Sequence, residues 1–91
     1  MGSALNEFVS KVGVDFAELK KLLYDSSDMV DDSIKASKAF ITAVVGKNNN
    51  EHIIDVVQGE FKELDADKDC SEYQKNMMKA SLLLAWEQME K

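Results

Sequence analysis

Ninety-one residues provide for one small hydrophobic core, because a second folding unit would leave both too small to stand unaided. Apolar residues make up 45% of the chain and charged residues 31%, which excludes a disordered tail and leaves a chain that folds on its own packing. Acidic side chains outnumber basic ones by 17 to 11, and a net charge of −6 repels phosphate, so no direct nucleic-acid binding is expected.

All the basic residues are Lys, and the chain has no Arg and no Pro. Without Arg there are no bidentate forks for carboxylate or phosphate recognition. The single Cys70 rules out an intramolecular disulfide and a cysteine-based zinc site. Met1 to Phe8 lacks the basic start and long apolar core of a signal peptide, and Gly2-Ser3 has the look of a cloning scar. The densest apolar stretch, Met77 to Met89, is broken by Lys79, Ser81, Glu87 and Gln88 and falls short of the roughly 20 residues of a membrane span. A cytoplasmic protein with no membrane span and no cofactor is expected.

Along the chain, Ala4, Leu5, Phe8, Val9 and Val12 recur at helical spacing, and Gly13 can take the left-handed conformation that ends a helix. Asp15 followed by Glu18 resembles a capping box, with Val14 placed to staple onto Leu19, so a second helix starts at Phe16 and buries Phe16, Leu19, Leu22 and Leu23. Asp25-Ser26-Ser27-Asp28 then favours a turn. From Asp28 to Val45 two apolar stripes run side by side. One is Val30, Ile34, Ser37, Ile41 and Val44; the other is Met29, Ser33, Ala36, Phe40 and Ala43. Their small residues would let a neighbouring helix approach closely, while Phe40 and Ile41 supply bulk.

Gly46 ends that helix, Lys47 to Asn49 form a loop, and Asn50 caps a fourth helix that turns Ile53, Val57, Phe61 and Leu64 inward. Gly59 weakens it by up to about 1 kcal/mol relative to Ala. The charged run Asp65 to Asp69 reads as a loop, and Ser71 with Gln74 forms a second capping box ahead of a last helix reaching Glu90. Tyr73, Met77, Ala80 and Leu84 lie on one line of that helix and Met78, Leu82, Ala85 and Met89 on another, with Leu83 and Trp86 pointing elsewhere again. A helix apolar all round is hard to enclose in so small a bundle, so Met78, Leu82, Leu83, Trp86 and Met89 are the expected partner-binding face. The absence of period-two alternation leaves an all-α bundle of four to five helices in a single domain, with Asp28–Val45 and Ser71–Glu90 as its main packing pair.

The chemistry-bearing motifs are few. Asp65, Asp67 and Asp69 occupy the first, third and fifth positions of a string that resembles an EF-hand calcium loop, which would make them metal ligands in a calcium-responsive switch. The pattern departs at Cys70 where Gly is needed, at Glu72 where an apolar residue is usual, and at Asn76 where a bidentate Glu belongs. Ala43-Val44-Val45-Gly46 and the terminal Trp86 to Glu90 resemble features of the small two-helix substrates of specialised bacterial secretion systems, with Val44 in place of the Trp at their turn.

Catalytic groups are scarce. His52 sits in a first helical turn whose dipole disfavours protonation, and Cys70 is flanked by Asp65, Asp67, Asp69 and Glu72, which disfavour a thiolate. Glu60-Glu63 and Asp31-Asp32 are the carboxylate pairs available, on faces expected to be solvated. The expectation is a non-enzymatic acidic protein that works as an inhibitor, immunity factor, chaperone or adaptor on a protein partner, or that self-assembles. Its acidic clusters, Asp28, Asp31, Asp32 and Asp65, Asp67, Asp69, would steer it toward a basic surface.

Overall fold

The last capping box closes as its spacing requires. The Gln74 amide donates to Ser71 Oγ at 3.2 Å and the Ser71 amide donates back to Gln74 Oε1 at 3.3 Å, which satisfies two of the amides that a helix start leaves unpaired. The helix they launch is the axis of the molecule. A computed structural model of the chain describes residues 4–26, 28, 30–45 and 53–89, and in it five helices occur: α1 (Ala4–Val12), α2 (Phe16–Ser26), α3 (Val30–Val45), α4 (Ile53–Ala66) and α5 (Glu72–Met89). No strand is present among the described residues, and the all-α bundle is as expected. Its radius of gyration of 12.5 Å matches the roughly 12 Å of a compact domain of this length.

The other breaks also follow local chemistry. Gly13 adopts φ +73° and its amide donates to the Val9 carbonyl at 3.1 Å, the left-handed stop that a residue with a Cβ resists. Asp15 Oδ1 accepts from the Glu18 amide at 3.1 Å and so caps α2. The expected Gly46, the loop at Lys47 to Asn49, the Asn50 cap and His52 lie outside the described residues, as do Met29 and Glu90.

All four other helices contact α5, and its contact with α3 is the most extensive, as the sequence pattern implies. Every residue from Ala80 to Trp86 is buried. Trp86 stacks at a tilt on Phe8 of α1, ring centroids 5.4 Å apart, and Phe8 meets Phe61 of α4 edge-on at 5.2 Å. Ser81 is tolerated inside because its hydroxyl donates to the Met77 carbonyl one turn earlier, at 3.0 Å. Two ion pairs tie α5 to its neighbours: Lys79 Nζ to Asp65 of α4 at 2.7 Å, and Lys20 of α2 to Glu87 at 3.7 Å.

The enclosure of α5 corrects the expectation that Leu82, Leu83 and Trp86 form an outward partner-binding face: Leu83 is fully buried and Trp86 is 1% exposed. The reason is topological: α1 and α4 pack on α5 as well as α2 and α3, so all four other described helices share in enclosing it.

The interior and the two described glycines make opposite predictions. Leu83→Ala should cost about 2–5 kcal/mol of stability in urea titration, whereas Met78→Ala on the surface should cost about 0.5 kcal/mol or less. A Cβ on exposed Gly59 meets nothing within 4 Å, so Gly59→Ala should stabilise by about 1 kcal/mol. Gly13→Ala, despite equally open space, should destabilise by about 1–2 kcal/mol because of its positive φ.

Candidate functional site

With α5 enclosed, the uncovered apolar surface moves to α3. Val30, Ile34 and Ile41 of its first stripe are buried against the bundle. The second stripe is left at the edge: Phe40 is 39% exposed, and Ala36 and Ala43 are also exposed. Val44, counted on the first stripe, is 58% exposed at the end of the helix. Met78 of α5, which shares a groove with Ala36 and Phe40, is 49% exposed. Between the two helices runs a groove of about 360 Å³ with Ser33, Ala36 and Phe40 on one wall, Met78 and Leu82 on the other, and Glu60 of α4 among its lining.

The small side chains of α3 account for the groove. Ser33, Ala36 and Ser37 reach too short a distance to fill the space beside Met77 and Met78, and Phe40 is the one large α3 side chain on the groove. Of the expected partner-binding residues, Met78 and Leu82 line this groove, Met89 is partly buried against the core, and Leu83 and Trp86 are interior. A larger hollow of about 580 Å³ lies over Leu19 and Leu22 of α2, but its rim mixes Lys21 with Asp15, Glu18 and Asp25, and no large exposed apolar side chain borders it.

Among the described residues Glu60 is the only ionisable side chain lining the α3–α5 groove. Partial burial pushes its carboxyl above the usual range, and the neighbouring charge of Glu63 and a hydrogen bond shared with that carboxyl act in the same direction. Among the described residues no cation pairs with either Glu.

The two acidic clusters occupy less functional positions. Asp28, Asp31 and Asp32 are exposed, with Asp31 and Asp32 in the first turn of α3, where carboxylates favour the positive end of the helix dipole. Asp65 lies in the last turn of α4 and is held by Lys79. Asp67 accepts from the Asp69 amide at 2.9 Å and from Cys70 Sγ at 3.2 Å, which shapes the α4–α5 turn. These bonds lower the Asp67 carboxyl and raise the Cys70 thiol, in each case chiefly through their mutual or backbone hydrogen bonds. Asp65, Asp67 and Asp69 therefore do not converge as calcium ligands would, and no cluster of His, Cys, Asp or Glu among the described residues could hold a metal ion. No described helix is long and apolar enough to cross a membrane.

Comparison of the chain with known protein families, with curated proteins and with solved structures finds no match. The described residues form five helices, not the two of the secretion substrates that the segments around Val44 and Trp86 resemble.

The raised Glu60 has a signed consequence. A carboxyl whose pKa is higher in the folded chain contributes stability that is full below its unfolded value and lost as pH rises through the folded one. Glu60→Gln should therefore melt at a higher temperature than the parent at neutral pH, with the gap closing toward about pH 4. A gap that persists in acid would contradict the assignment. At Cys70, Asp67→Asn should speed alkylation by iodoacetamide several-fold near pH 8, because it removes the carboxylate that holds the thiol proton.

Proposed function

We propose that this chain is a non-enzymatic, acidic interaction protein that works by covering a partner's surface, as an inhibitor, immunity factor, chaperone or adaptor does. The observation that carries this reading is the second stripe of α3, where Phe40 stands exposed on an open groove that exposed Met78 of α5 also lines. Flexible Met side chains and an aromatic edge form an adaptable contact surface, and the net charge of −6 favours encounter with a basic partner over an acidic one.

The absence of a match to known families leaves the reading to rest on the surface itself. A second copy of the chain seated on the same face is its self-assembling form, and it predicts a mass that rises with concentration in light scattering.

The test is capture with the immobilised chain from a lysate of the producing cell, in parallel with Phe40→Asp/Met78→Asp, whose exposed positions leave the buried core intact. Proteins held by the parent and released by the double variant support the reading. Identical capture by both, with the variant folded by circular dichroism, refutes it.

A further inference from the structure

The α3–α5 groove joins an apolar channel to the carboxyl of Glu60, which has Glu63 beside it, and we infer that its occupant is an amphipathic helix of a partner protein carrying a Lys or Arg that meets Glu60 and its neighbour Glu63. This rests on the interaction reading above and goes further by naming the chemistry of the partner.

Three features of the site select a helix with a cation. The channel lies between two helices, and its α3 wall is built of Ser33, Ala36 and Ser37, short side chains that let a third helix axis come close, with Phe40 and Met78 as lips. Strand addition has no place to occur, since the described residues contain no strand and hence no sheet edge. Glu60, the only ionisable group of the lining among the described residues, neighbours the like-charged Glu63, and no described cation pairs with either; the two lysines that form ion pairs among the described residues, Lys20 and Lys79, are engaged with Glu87 and Asp65. An arriving cation relieves the repulsion between the two carboxylates as it pairs with them. A second copy of this chain fits less well, because it brings another net charge of −6 against the same pair.

The experiment uses the full chain labelled with ¹³C at the Met methyls and titrated with two synthetic helical peptides. One carries a Leu/Ala stripe flanked by Lys, and the other is identical with Glu for each Lys. The Lys peptide should shift the Met77 and Met78 methyl signals saturably, and the Glu peptide should not bind over the same range. Glu60→Gln/Glu63→Gln should weaken the Lys peptide roughly three- to tenfold, and Phe40→Ala roughly tenfold. Glu7→Gln/Asp69→Asn removes the same amount of charge from exposed positions on α1 and the α4–α5 turn, and should change affinity less than about twofold.

Equal affinity for the two peptides, equal weakening by the two charge-removing pairs, or shifts that spare Met77 and Met78 would each overturn the inference. Movement of the Met78 signal with protein concentration alone would overturn it in favour of a second copy. If the peptides fail to discriminate while Phe40→Asp/Met78→Asp still abolishes capture from the lysate, the partner chemistry is wrong and the interaction reading stands. If capture is also unaffected, both fall.

Discussion

The enclosure of α5 is the constraint on which the rest of the structure depends. From Ala80 to Trp86 every side chain is buried, so this part of the helix has no solvent face and must be surrounded. Each other helix supplies a part of that surround, and the chemistry at the contacts differs by side. Toward α1 and α4 the seal is aromatic, through Phe8, Phe61 and Trp86. Lys79 and Lys20 then tether α5 to α4 and α2 by ion pairs that are small in energy but fix which residues sit opposite each other. Lys79 Nζ also sits over the Phe61 ring, 5.4 Å from the centroid, so one side chain meets the aromatic cluster and holds Asp65.

Because α5 takes the centre, α3 is left on the outside with more apolar surface than α4 and α5 together cover. A helix at the edge of a bundle buries one stripe, and α3 carries two. Val30, Ile34 and Ile41 turn inward, and the stripe of Ala36 and Phe40 borders the groove. The sequence pattern points to exposed apolar surface on α5, where Leu82, Leu83 and Trp86 are buried; the exposed large apolar side chains of this region are Phe40 of α3 and Met78 of α5. The groove and its Glu60–Glu63 pair are the residue of a packing problem that five helices cannot fully solve, and a surface of this kind is where a partner gains most by binding.

Much of the fold was written in local chemistry. The N-cap at Asp15, the capping box at Ser71, the left-handed stop at Gly13 and the inward line of Ile53, Val57, Phe61 and Leu64 depend on neighbours within one or two turns, and so could be read without knowing the fold. The acidic string from Asp65 to Asp69 shows where such reading fails. Its spacing suits a cation, yet Asp65 is still helical and pairs with Lys79, a residue 14 positions away, while Asp67 turns back on its own loop.

The sequence by itself determined that the chain forms helices, where several of them start and stop, that it is acidic, and that its last helix is apolar on more than one side. Only the tertiary structure decided which helix is central. Helical periodicity marks a side chain as apolar and gives its angle about its own axis, but it carries no information on how many neighbours surround that axis. For α5 that number was four, which buried Leu83 and Trp86; for α3 it was too few to cover Phe40, and the candidate site arose there.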